Sequence, residues 1–262
     1  MFGDAEAYER FMGRWSSKLA PLLVDFAGLA DTGKVLDVGS GTGALAFAIA
    51  RMKAHCQVLG IDPSAEYIGY AGSKNPFPQR VTFEVGDAQQ LRFSQAEFAN
   101  SLSLLVFNFI PDRKKALLEV MRVTKAGGTV SAAVWDYPEK MRMLRVFWDA
   151  AAEVDPAARA ADEAHMPLCR AGQLEELWKA GGLEQVVERP LEITMEFTSF
   201  QDFWEPFLLG QGPAGAFVRK VEGERRQALR NEVKRRLGLK SENAPFSLAA
   251  RAWAVRGIVP GR

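Results

Sequence analysis

Histidine and cysteine are scarce in this 262-residue chain, with two of each. His55, His165, Cys56 and Cys169 show no ligand spacing, so no metal site is expected. The two cysteines lie far apart and read as buried or incidental thiols of a reducing cytoplasm. Neither charge sign dominates: 33 Lys and Arg face 32 Asp and Glu, a formal net charge of +1. That balance argues against a nucleic-acid partner, because clamping a phosphate backbone calls for a basic excess. No apolar run reaches the ~18 residues of a membrane span. The opening MFGDAEAYERFMGRW is mixed and charged, without the apolar core and small-residue cleavage site of a secretory signal. Repeats and low-complexity tracts are also lacking. What remains is an ordinary globular composition, 48% apolar and 25% charged, long enough for one large α/β domain with a modest accessory cap.

From residue 34 to 135, short apolar strands alternate with helical stretches. Strands are expected at Val35–Val38, Val58–Asp62, Val81–Val85, Leu102–Phe107 and Thr129–Trp135. Helices are expected at Leu45–Met52, about Ser64–Gly72, and from Asp112, as cap, to near Lys125. Such alternation, with strands apolar on both faces, predicts a parallel sheet covered by helices on both sides. Beyond Trp135 the rhythm changes: 139–165 looks helical, as do 173–180 and 199–240, while Leu183–Phe197 and Ala250–Ile258 read as strands. The predicted fold is a Rossmann-like, doubly wound α/β sheet of seven strands. It is mostly parallel, with an antiparallel edge hairpin and a helical cap inserted between the last two strands. The expected boundaries are an N-terminal helical lid at 1–30, a cofactor-binding core at 31–137, and core completion with the substrate cap at 138–262.

The strongest signal is Val35-Leu36-Asp37-Val38-Gly39-Ser40-Gly41-Thr42-Gly43, where a strand passes into a helix. Glycines there permit a tight turn and let a ligand approach the main chain closely. Asp62 ends the second strand and can accept from both hydroxyls of a ribose; Asp87, in Gly86-Asp87-Ala88 after the third, can accept from an adenine amino group. Gly39, Gly41 and Ala44 also fit the dinucleotide fingerprint, with Asp62 as its downstream acid. Three details favour S-adenosylmethionine (SAM) over a nicotinamide dinucleotide. Asp37 stands where a carboxylate can hold a cationic amino-acid moiety, Gly43 continues the alternate glycines, and Asp87 adds a third acidic strand end. Three carboxylates suit a positively charged cofactor without phosphate.

Together with Gly60-Ile61-Asp62-Pro63-Ser64 and Arg122-Val123-Thr124-Lys125-Ala126-Gly127-Gly128, these motifs resemble the class I SAM-dependent methyltransferases, most closely the group similar to the ubiquinone/menaquinone enzymes. The resemblance covers about residues 8 to 136. It implies that Asp37, Gly39, Ser40 and Gly41 face the methionine part of SAM, Asp62 and Pro63 the ribose, Asp87 and Ala88 the adenine. Leu104 to Asn108, with Phe107 among them, would lie near the methyl group, and S-adenosylhomocysteine would be the product. The N-terminal segment would fold over the cofactor, with Tyr8 and Arg14 as its contacts. Ala99 departs from the pattern, which commonly has an aspartate there.

Ligands of open α/β sheets bind beyond the carboxyl ends of the strands, which makes Asn108 and Trp135 substrate candidates, joined by Trp15 from the lid. Trp148 and Trp204, among other cap aromatics, suggest an apolar or aromatic small-molecule acceptor. Their helical spacing also suits ordinary core packing. Methyl transfer is an in-line displacement in which the protein chiefly positions the acceptor. His165 and Tyr137 are the candidate bases, with Asp136 an alternative. The basic stretch from Glu224 to Lys240 reads as a solvated amphipathic helix, with Leu229, Val233 and Leu237 as its apolar stripe and Glu232–Arg236 as an i,i+4 pair. The competing functions are an RNA or protein methyltransferase and a non-enzymatic module that binds SAM or its product. The substrate and the oligomeric state are left open, and the expected location is cytoplasmic.

Overall fold

The computed structural model describes residues 4–261. The chain begins with α1 (Ala5–Tyr8), a π-helical turn (Glu9–Gly13) and α2 (Arg14–Ala27). The alternating part follows as β1 (Gly33–Val38), α3 (Ala44–Met52), β2 (Cys56–Asp62), α4 (Ala65–Ser73), β3 (Val81–Val85), β4 (Asn100–Leu104), α5 (Arg113–Val123) and β5 (Thr129–Trp135). Next come α6 (Arg142–Val154), two 3₁₀ turns (Pro156–Ala161 and Glu163–His165), α7 (Gln173–Gly181) and β6 (Glu184–Phe197). The chain then runs through α8 (Phe200–Leu208), α9 (Gly212–Lys220) and α10 (Gly223–Leu237) into β7 (Phe246–Ile258).

The sheet has seven strands in the order β3-β2-β1-β4-β5-β7-β6. β1 lies parallel to both β2 and β4, with Asp37 opposite Gly60 on one side and Leu102 on the other. The chain therefore winds outwards from β1 to β3 and returns to start β4 beside β1. This reversal is the topological switch point at which open α/β sheets hold their ligands. β7 runs antiparallel to β5, pairing Thr129 with Ile258 through Trp135 with Ala252. Every residue of β4 and β5 is buried, as expected of parallel strands sandwiched between helices. The edge strand β3 is largely open to solvent.

The chain divides into two compact units. The larger comprises Trp15–Trp135, Pro167–Leu191 and Ala252–Arg262; the smaller comprises the segment ending at Arg14, Asp136–Met166 and Glu192–Arg251. The first break between the two units falls at the start of α2. In the larger unit, the fully buried Trp178 donates its indole N–H to Val130 O at 3.0 Å and meets the edge of Phe107 at 5.0 Å. The smaller unit is built around aromatic rings: Phe147 stacks on Phe207 at 4.6 Å, and Phe11 meets Phe207 edge-on at 5.2 Å.

Three local differences from expectation have identifiable causes. The fourth strand stops at Leu104 rather than at Phe107, because Leu105 adopts a left-handed φ of 65° that cannot continue an extended ladder. The helical segment expected at 1–30 is not one regular α-helix between Tyr8 and Trp15. The π-turn, in which Arg14 N–H donates to Glu9 O, widens the helix between them. The helical stretch foreseen at 139–165 is one helix followed by two short 3₁₀ turns, whose N-caps are Asp155 and Asp162. The amphipathic helix is α10: Leu229 and Val233 are buried, and Arg236 pairs with Glu232 at 2.7 Å.

Candidate cofactor site

The glycine loop joins β1 to α3 at the switch point. Gly39, Gly41 and Gly43 have φ of 73°, 51° and 97°, values that L side chains adopt only with strain. Gly39 has a second constraint, since a Cβ there would fall 2.5 Å from the Val106 side chain just after β4. A Cβ on Gly41 would instead meet open space. The backbone N–H groups of Gly39 and Ser40 both donate to Ile61 O at 2.8 Å, which ties the loop to the end of β2.

That tie brings Asp62 under the loop. Its Oδ2 accepts from Gly41 N at 3.0 Å and its Oδ1 from Ser64 N at 2.8 Å. Each carboxylate oxygen keeps a further acceptor position for a ligand hydroxyl. Burial raises the Asp62 pKa, and the N–H groups of Ser64 and Gly41 oppose the rise. Asp62 O accepts from Gly86 N at 3.1 Å, placing the Gly86-Asp87-Ala88 turn next in line. Asp87 is exposed, with its Oδ1 accepting from Gln89 N at 2.8 Å. Gln89, which nothing in the sequence singled out, extends the series by accepting from Asp112 N at 3.0 Å. Pro63 is exposed and Ala88 half-buried.

Asp37 is different in kind. It is wholly buried, and among the described residues no hydrogen bond reaches either of its carboxyl oxygens. Burial pushes its pKa up to about 8. The Ala46 backbone N–H, short of full hydrogen-bond geometry, acts the other way, and the negative charge of Asp62 adds a further rise. Ser40 Oγ, also buried, is likewise without a partner. An orphaned carboxyl beside a turn of left-handed glycines fits a cationic ligand with ribose hydroxyls, which matches SAM.

Asn108 and Trp135 are buried in the same unit, and among the described residues the indole N–H of Trp135 has no acceptor. Phe107 turns away from the strand end to pack on Trp178, so its ring belongs to the core. Trp15 is buried as well.

In the smaller unit the foreseen residues take structural positions. Arg14 donates to Asp202 Oδ1 at 2.7 Å and lies over the Phe197 ring at 5.1 Å, which commits its guanidinium within the unit. Tyr8 is half-buried. Trp148 and Trp204 are buried among other rings, with Phe147 and Phe217 around Trp148 and Phe200 and Phe207 around Trp204. They fill a core, so their presence no longer argues for an aromatic acceptor. Tyr137 is buried. Asp136 accepts from Arg251 Nε at 2.7 Å and from Glu139 N at 3.2 Å, a structural commitment that leaves it poorly suited to be a base. His165 is exposed, and among the described residues no partner orients its imidazole.

The sequence reading missed Glu163. Its charged neighbourhood, Asp162-Glu163-Ala164-His165, looks like surface, yet Glu163 is only 3% exposed and accepts a hydrogen bond from Trp148 Nε1. Burial pushes its pKa up to about 8. The Trp148 bond and Arg145 oppose the rise, and Asp162 adds to it.

A methyltransferase-domain family profile matches residues 36–132. An uncharacterised protein of Mycobacterium tuberculosis is 31% identical over 119 residues, covering 45% of this chain and 42% of that protein. The ubiquinone/menaquinone biosynthesis C-methyltransferase UbiE of Geobacter sulfurreducens is 27% identical over 122 residues, 45% of this chain and 48% of the enzyme. The chain thus spans less than half the length of these curated relatives. Among solved structures, a Haemonchus contortus phosphoethanolamine N-methyltransferase 2, in complex with phosphomonomethylethanolamine and S-adenosylhomocysteine, superposes with a TM-score of 0.60 at 18% identity. That match covers 98% of this chain and 57% of the other. The order of strands and the glycine turn at the switch point agree with that match: residues 36–132 are similar to the methyltransferase domain, and the sheet is that of the α/β methyltransferase fold.

Proposed function

We propose that this protein transfers a methyl group from SAM to a small molecule. The observation that carries the reading is Asp37, a buried carboxyl with no partner at the head of the glycine loop. Leaving such a group unpaired costs free energy that a ligand ammonium would recover. A dinucleotide has no ammonium to place there, since the nicotinamide cation of its oxidised form carries no N–H on the charged nitrogen, and its pyrophosphate would meet a carboxyl instead. Asp37 would hold the amino group, the Gly39–Gly41 backbone the methionine chain, Asp62 the ribose hydroxyls and Asp87 the adenine. SAM supplies the activated methyl group when bound, and the residues of this chain orient the acceptor and exclude water.

A small acceptor is favoured by the near-neutral net charge and by two of the proteins named above, whose names point to quinone biosynthesis and phosphoethanolamine. The reading is tested by incubating the protein with methyl-labelled SAM and a panel of phenols, quinols, amines and thiols. Label appearing in an acceptor, with matching S-adenosylhomocysteine and loss of both in Asp62→Ala, is the expected result. Label moving to protein or RNA but to no small molecule would overturn the acceptor class.

A further inference from the structure

We propose that cofactor binding at this site is coupled to release of a proton from Asp37. The inference rests on the reading of the loop as a SAM site and adds what the empty-handed carboxyl must do before the ligand arrives. Asp37 lies inside the sheet on β1, flanked on both sides, with Gly60 of β2 and Leu102 of β4 as its cross-strand neighbours. Neither neighbour offers a charge or a side-chain donor. From α3 only the Ala46 backbone N–H acts on it, without a full hydrogen bond. Among the described residues the one titratable side chain that influences it is Asp62, at the end of β2, and its charge has the same sign.

Buried there, with no counter-charge and no hydrogen bond among the described residues, the carboxyl is more stable as the neutral acid. The rise to about 8 expresses the same balance. An ammonium placed against the carboxyl reverses it, because an opposite charge at contact distance favours the ionised form. The O–H proton of Asp37 then passes to the buffer, and the ligand amine keeps its own. Free SAM carries an α-amino group, whose ordinary pKa is about 7.7–8.0. At pH 6.5 that amine is protonated beforehand, and release from Asp37 is the only exchange. At pH 9 the acid is already ionised while the free amine has lost its proton, so binding takes one up instead. Two neighbouring ionisations thus make the exchange change sign between these pH values.

Calorimetric titration of the wild type with SAM, in phosphate and in imidazole at pH 6.5 and in bicine and in Tris at pH 9, reads the exchange directly from the dependence of heat on buffer ionisation. The expected result is release of about one proton per bound SAM at pH 6.5 and net uptake at pH 9. Affinity should also rise with pH from 6 towards 8. Heats that do not depend on the buffer at pH 6.5 would overturn the linkage while leaving SAM binding intact. Absence of any binding heat with SAM or S-adenosylhomocysteine would overturn the cofactor reading, and the linkage with it. Asp37→Asn localises the source: weakened binding whose residual heat shows no release at pH 6.5 supports Asp37, whereas undiminished release assigns the proton elsewhere. Should that variant not fold, the buffer and pH dependence of the wild type still decides the proposal.

Discussion

Replacing Glu163 with glutamine should make the protein more stable at neutral pH, and the gain should vanish in acid. Folding raises the Glu163 pKa from its ordinary value of 4.5 to about 8. Below pH 4.5 the folded and unfolded chains both hold the proton. Between the two values only the folded chain holds it, so stability falls as pH rises, by ~1.4 kcal/mol per pH unit. Above the folded value both forms are ionised and the loss is complete. At pH 7 the accumulated loss is at most about 3 kcal/mol, a large share of the ~5–15 kcal/mol that holds a typical domain together. Glutamine has the same shape and can still accept from Trp148 Nε1, but it does not ionise in the unfolded chain. Urea unfolding of wild type and Glu163→Gln at pH 4.5 and pH 7.5, followed by tryptophan fluorescence, measures the difference. Asp37 contributes a similar slope to both proteins and cancels in the comparison. Curves separated by the same amount at the two pH values, or a variant less stable at pH 7.5, would refute the account of a buried neutral acid.

The glycine loop supplies a second contrast. Gly39→Ala faces both a left-handed φ and the Val106 side chain, and should abolish SAM binding in a titration. Gly41→Ala faces only the backbone strain, about 1–2 kcal/mol, and should bind SAM with reduced affinity; equal effects would contradict the role given to Val106. His165→Ala should retain methyl transfer within about tenfold of wild type, since the exposed imidazole lacks the orienting partner of a general base. A larger drop, read as initial rate with an identified acceptor, would restore it as a catalytic residue.

The parts of the molecule that could be read in advance are those governed by local rules. The alternation of apolar strands and helices up to Trp135 follows from periodicity, and Gly39, Gly41, Asp37 and Asp62 stand in a spacing that only a strand-turn-helix can satisfy. Their meeting under the loop then follows from parallel pairing of β1 with β2. What escaped prediction depends on tertiary packing. Leu105 ends β4 early through a backbone conformation that its side chain does not announce. Trp148 and Trp204 have the composition of a binding pocket, yet they turn to neighbouring rings. Glu163 sits in a polar run whose burial is decided by Trp148 one helix away. Arg14 fits a cofactor contact in the linear sequence, but Asp202, 188 residues later, engages it.

The most direct test of the cofactor assignment is calorimetric titration with SAM, S-adenosylhomocysteine and NAD separately, on the wild type and on Asp62→Ala. The account predicts binding of both adenosyl ligands by the wild type, its loss in the variant, and no heat from NAD. Silence from SAM and S-adenosylhomocysteine, with or without a response to NAD, would contradict it.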